Sequence, residues 1–291
     1  MYPHPRTQAA FASILIPGLP EPYRKSEPKE RCVLFIIAQP VKGLLREVSR
    51  HKNVMNATEL SKFQEEMHEK ERVHAETLEQ NVHGDEPIYD GVCDIKCYAE
   101  APIKVMWVLK EPWEKRENDE ALGGWPIWEP WTDATQMNPV WKTMMYVMYG
   151  INTGTPYNQM PSVNDEMLKM LKSSAYINIS KMPGKTTSTS MNAPYEQWRE
   201  ILLQQIEGYK PDVIIFGNTY DGLFDKEDFA QKAKWAEELS SPRIVEANVS
   251  EGTLLINAWH PSPMRMASHS DVSEEVYVDT IVKAVRGFKH N

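Results

Sequence analysis

The chain has 291 residues, 41% of them hydrophobic, with 9 Trp and 12 Tyr. That is enough apolar material for a packed core and excludes a disordered protein. The net charge of −9 argues against a surface coated with cations for nonspecific nucleic-acid binding, although a local basic face needs only a few well-placed groups.

No apolar run approaches the roughly 20 residues that span a bilayer, so no membrane association is expected. Residues 11–19 are apolar but short and broken by Pro17, which does not read as a secretory signal. Cys32, Cys93 and Cys97 cannot all pair with one another, and a reduced, cytoplasmic setting is expected. Cys93 and Cys97 lack the second pair that a structural zinc site needs, and four thiolates for an iron–sulfur cluster are excluded by count. Neither a metal nor an organic cofactor is expected.

The first thirty residues carry Pro3, Pro5, Pro17, Pro20, Pro22 and Pro28, which predicts an extended surface segment. Residues 33–38 fit a buried strand or a helix start, and periodicity does not separate the two. Asn56-Ala-Thr-Glu59 has the pattern of a capping box opening a charged helix to about Glu79. A solvated helix packing by one stripe is the plainer reading of it. Residues 1–86 are thus expected as a partly helical N-terminal extension to a domain over 87–291. Acidic residues crowd 59–86 and 225–251, while 181–199 and 283–290 are locally basic.

Four short apolar runs follow, at 105–109, 176–179, 213–216 and 254–259, each fitting a central strand. Helical segments are expected between and after them. Asn138-Pro139 caps one through Tyr149. Residues 192–208 read as a helix stopping at glycine, with further candidates at 221–239 and 271–286. The alternation predicts an α/β fold, a three-layer α/β/α sandwich on a mostly parallel four-stranded sheet. Sites in such sheets lie at the carboxyl ends of the strands.

Three of those strand ends carry chemistry. Lys110-Glu111-Pro112-Trp113 follows the first, Asn178 sits near the end of the second, and His260-Pro261-Ser262-Pro263 follows the fourth. A carboxylate, an amide and an imidazole on one rim form a sensible set for removing a base: one for water, one for the base edge, one for the leaving base.

In these motifs, from about Pro87 to the C-terminus, the chain resembles the uracil-DNA glycosylase superfamily. Glu111-Pro112-Trp113 looks like the water-activating motif, Tyr176-Ile177-Asn178 like the base-reading strand, and His260 to Pro263 like the leaving-group and DNA-clamping loop. The strand ending at Gly217 also sits where the family has one. The last motif is fairly specific; the others gain weight from order and strand context. There are departures: Glu111 stands where the family often has Asp, Leu109 where it has Gly, and Trp113 replaces a smaller residue near C5 of the base. The Trp-rich loop 124–131 and residues 1–86 have no counterpart.

The resemblance implies that Glu111 orients water opposite an oxocarbenium-like sugar and that His260 bonds the anionic oxygen of the departing pyrimidine. Outside such a loop, a lone histidine is more often a satisfied core residue. Asn178 suits uracil in one amide orientation and cytosine in the other. Trp113 would shape the base pocket, and Trp125 or Trp128 would stack on the flipped base, although tryptophans are more often core. Lys181, Lys185, Ser188 and Thr189, with Thr186 and Thr187, would form a phosphate-contacting loop beside Ser262. Met264 and Arg265 follow where the family fills the vacated stack. A serine-hydrolase reading of His260 and Ser262 lacks a nucleophile elbow.

The expected function is a monofunctional DNA glycosylase with DNA as partner. It would act on uracil in repair, or on a hydroxymethyl or glucosylated cytosine in anti-phage defence. No obligate protein partner is inferred. Two rivals are a catalytically silent nucleic-acid-binding relative and an interaction module on helix 56–82.

Overall fold

The structure, a computed structural model, describes residues 55–79, 81, 83–114, 120–184, 190–241, 244–267 and 272–290, with backbone alone at 265, 267, 289 and 290. The expectations for the Pro-rich segment and for 33–38 lie outside these residues.

In chain order the elements are α1 (Ala57–Glu76), β1 (Gly91–Val92), α2 (Ile95–Glu100), β2 (Val105–Leu109), α3 (Pro139–Thr153), α4 (Asp165–Lys172), β3 (Ala175–Asn178), α5 (Asn192–Tyr209), β4 (Val213–Gly217), α6 (Asp228–Gln231), β5 (Lys234–Trp235), β6 (Val245–Ser250), β7 (Thr253–Ala258), α7 (Pro263–Ala267) and α8 (Glu274–His290). The strands form one sheet in the order β1-β3-β2-β4-β7-β6-β5. Its centre, β3-β2-β4-β7, is parallel, and β1, β6 and β5 join antiparallel. The four expected strands are the parallel centre of a sheet of seven. The added edges escape an apolar-run search because β1 and β5 are two residues long and β6 alternates in burial.

Alternation along the strands divides the core into two layers. Val105, Trp107 and Leu109 of β2 face a cluster with Met144 and Met148 of α3, Leu171 of α4 and Ile281 of α8. Met106 and Val108 face Leu60 and Met67 of α1, Tyr98 of α2, and Trp198 and Leu202 of α5. The result is the expected three-layer α/β/α sandwich.

The capping box at Asn56 and Glu59 is present. So are the Asn138 cap, the proline after it and Gly154 as a left-handed stop at φ 76°. Two helix expectations need correction. α5 has no side-chain cap and ends on Lys210 in the left-handed region, past Gly208, which lies inside the helix. Residues 221–239 do not form one helix. Gly222 at φ 76° breaks the helical path, and Lys234 and Trp235 pair with the open edge of β6, so tertiary pairing overrides helix propensity. Glu251 and Gly252, both at positive φ, make the tight β6–β7 hairpin turn.

α1, from the expected N-terminal extension, buries Leu60, Met67 and Ala75 in the second layer. Gln64 of α1 also exchanges two hydrogen bonds with the Val92 backbone, at 2.7 and 3.0 Å. No helix among the described residues is long and apolar enough to cross a membrane.

Candidate functional site

The sheet order places the carboxyl ends of β3, β2, β4 and β7 side by side. Leu109 is in register with Asn178, and Gly217 with Ala258. Glu111 therefore lies two residues beyond β2, and His260 two beyond β7, on the rim that Asn178 closes on the β3 side.

The chain beyond β2 runs alongside the chain beyond β3. Ile179 N donates to Leu109 O at 2.9 Å, Ser180 N to Lys110 O at 2.9 Å, and Gly184 N to Pro112 O at 2.9 Å. Pro112 is buried, Glu111 half-buried and Trp113 57% exposed. Glu111 rests on Gly184: a Cβ there would lie 2.8 Å from Glu111 Cδ and 2.9 Å from Oε2. Gly217 has the same role beneath the β7 loop, where a Cβ would overlap Leu109 and approach Pro261 Cδ to 3.2 Å.

The loop after β7 is held at both ends. Tyr277 of α8 donates its hydroxyl to Trp259 O at 2.9 Å, and Asn218 N donates to Ala258 O at 2.7 Å. Asn218 is left-handed, φ 60°, which an Asn tolerates. Ser262 N bonds back to His260 O at 2.7 Å, and Met266 N to Ser262 O at 3.0 Å starts α7. His260 and Ser262 are half-buried, and Met264 is 86% exposed.

Asn178 is fully buried. Its Oδ1 accepts the Tyr176 hydroxyl at 3.2 Å, and its Nδ2 has no hydrogen-bond partner among the described residues. Its backbone N–H donates to Asp90 Oδ2 at 2.7 Å.

Lys181 is a correction. It was expected at the rim gripping phosphate, but its side chain is fully buried, with Nζ 2.8 and 2.7 Å from the two Asp90 oxygens and 2.8 Å from Gln205 Oε1. An ammonium taken out of water needs such a counter-ion. Gln205 also donates to Glu71 of α1 at 2.9 Å and to Asp90 at 2.8 Å. Burial, then the nearby Asp90 carboxylate, pushes Glu71 well above the ordinary carboxylate range.

Trp125 and Trp128 are half-buried against the core. They stand beyond the segment 88–90, which donates Ile88 N to Lys181 O at 2.9 Å on one side and Tyr89 N to Trp125 O at 3.0 Å on the other. The Trp128 ring lies 6.3 Å from that of His68 on α1. Burial lowers the pKa of His68, against the pull of the Asp90 carbonyl it contacts. Lys185, Ser188 and Thr189, with Thr186 and Thr187, fall outside the described residues, as does the side chain of Arg265. Cys93 is half-buried with its thiol pushed up to about 12 by burial, a poor source of thiolate for a metal.

Sequence reasoning missed Asp90, Glu71, Gln205, Gly184 and the hydroxyl of Tyr176. Pro183-Gly184 carries a weak signal, a glycine opposite a catalytic candidate; Asp90 before Gly91 reads only as a turn. A comparison with known proteins finds no protein-family model and no curated relative that matches the chain.

Proposed function

We propose that the chain is a monofunctional DNA glycosylase, similar in design to uracil-DNA glycosylases, acting in the cytoplasm on DNA. The observation that supports this most is that Asn178, Glu111 and His260 stand at or just beyond the carboxyl ends of β3, β2 and β7 in one parallel four-strand centre, with β4 between β2 and β7, where α/β sheets place their sites.

In this reading a pyrimidine nucleotide leaves the base stack and enters the rim. Asn178 bonds the base edge. The bond from C1′ to the ring nitrogen breaks, its electron pair stays on the base, and His260 hydrogen-bonds the anionic oxygen that results. The Glu111 carboxylate stabilises the cationic sugar, orients the water whose oxygen adds to C1′ and takes the proton that this water loses, and a proton from solvent then neutralises the released base. The product is an abasic site. Lys181, the lysine next to the base-reading strand, is tied to Asp90, so a lysine-linked lyase step has no support.

Uracil and C5-modified cytosine, hydroxymethylated or glucosylated, are the substrates this reading admits, in repair or anti-phage defence respectively. Trp113 stands two residues after Glu111 with its side chain exposed, where it would meet a C5 substituent. The test is to incubate the protein with duplexes carrying uracil, hydroxymethyluracil, hydroxymethylcytosine or glucosylated hydroxymethylcytosine and cleave abasic sites with alkali. Strand scission with one of these supports the reading. Binding without scission would instead favour a silent nucleic-acid-binding protein.

A further inference from the structure

Tyr176 and Asn178 stand two apart on β3 and so share a face of the sheet. Both are buried, at 4% and 0% exposure. The phenol oxygen lies 3.2 Å from Asn178 Oδ1. Edge-on contacts at 6.2 Å to Trp131 and 5.0 Å to Trp141 pack the Tyr176 ring, which restricts movement of the hydroxyl. A carboxamide has two orientations of nearly equal shape and opposite hydrogen-bonding sense. Here the carbonyl faces the phenol, and the amino group is buried without a partner among the described residues. An unpartnered buried donor is costly, about 1–3 kcal/mol, and a ligand that supplies an acceptor recovers that cost.

Resting on the glycosylase reading, we propose that Tyr176 is a specificity-determining positioning residue: its hydroxyl locks the Asn178 amide so that Nδ2 is presented to the base. The base read there is then one that carries an acceptor at the position facing Asn178, the O4 carbonyl of a uracil in place of the exocyclic amine of a cytosine. Burial, with the nearby Asp90 charge, raises the pKa of Tyr176 far above working pH, so the phenol remains a donor and does not release the carbonyl. With the amide flipped, the phenol oxygen could accept from Nδ2, but the phenol proton and Asn178 Oδ1 would both lose the partner they now share. The hydroxyl thus converts an ambiguous amide into a one-way reader.

The experiment compares wild type with Tyr176→Phe on matched duplexes, hydroxymethyluracil against hydroxymethylcytosine, reading kcat/KM for each and folding by circular dichroism. The phenylalanine variant keeps the ring and frees the amide to turn. The ratio between the two bases is expected to narrow by about tenfold or more, because the disfavoured base gains the orientation it needs. A merely structural hydroxyl would lower both rates together and leave the ratio unchanged, and that result overturns the proposal. If Tyr176→Phe does not fold, Asn178→Asp decides: an ionised carboxylate cannot donate, so excision of hydroxymethyluracil should be lost. Retained excision of hydroxymethyluracil by that variant would mean that no donor at position 178 reads the base, contrary to the proposal. If wild type excises no member of the wider panel, the glycosylase reading itself fails and takes this inference with it.

Discussion

The Glu111 carboxylate lies directly over the backbone of Gly184, with no room for a side chain between them. The contact joins the loop after β2 to the loop after β3, and it fixes where the proposed water-activating group stands. Gly184→Ala should displace that carboxylate. Misplacement by about 1 Å costs about a hundredfold in rate when geometry is critical, so single-turnover excision should drop on that order while abasic-DNA binding persists. Wild-type turnover by this variant would show that the contact does not set the carboxylate.

Glu111→Gln preserves shape and removes charge. Without a carboxylate to stabilise the cationic sugar, turnover should fall by orders of magnitude while the dissociation constant for substrate DNA changes little. Gel-shift titration beside single-turnover kinetics checks both. Near-native excision would remove Glu111 from the mechanism.

Lys181 should behave as a structural ion, not a phosphate contact. Lys181→Met leaves Asp90 buried without its cation, and breaking a buried pair costs about 3–5 kcal/mol. A drop in denaturation midpoint is expected, with the salt dependence of DNA binding unchanged in the folded fraction. A shallower log–log salt slope at unchanged stability would restore the phosphate role.

Glu71 ties stability to pH. Its folded pKa is raised above the ordinary value of 4.5 by burial and by Asp90. The folded state then holds a proton that the unfolded chain releases, so stability is full below about pH 4.5 and declines as pH rises toward the folded pKa. The slope is at most about 1.4 kcal/mol per pH unit for one proton. Glu71→Gln mimics the protonated form and should flatten this dependence, giving the variant an advantage at pH 8 that shrinks toward pH 5. Parallel urea-denaturation curves for the two proteins would reveal the slope as an artefact if they track each other at every pH.

Much of the sheet was legible because its four central strands are apolar runs bounded by turns, and because buried parallel strands need no alternation. The β5–β6 edge was not legible: Lys234 and Trp235 enter the sheet only because β6 offers unpaired backbone. At the site, Glu111, Asn178 and His260 stood in recognisable contexts. Their supports did not. Asp90, Gln205 and Glu71 are distant in sequence and meet only when α1, α5 and the segment before β1 close over β3. Lys181 misled for the same reason. A lysine after a strand end looks solvated until its counter-ion, about ninety residues away, is brought to it.

Met264 tests the DNA side of the proposal without touching the chemistry. Its side chain is 86% exposed at the start of α7, four residues after His260, and a large apolar group so placed gains nothing for the fold. A wedge that occupies the gap left by a flipped nucleotide would explain it, since unstacking a base step costs a few kcal/mol. Met264→Ala should leave the thermal midpoint unchanged, because the lost atoms face solvent. Excision from duplex DNA should slow by about tenfold or more, as about 1.4 kcal/mol of wedge energy corresponds to that factor. Single-stranded substrate has no stack to hold open, so its excision should be nearly unaffected, and the ratio of the two rates is the quantity to measure. An equal loss on both substrates would place Met264 in backbone contact, and no loss on either would take it out of the interface altogether.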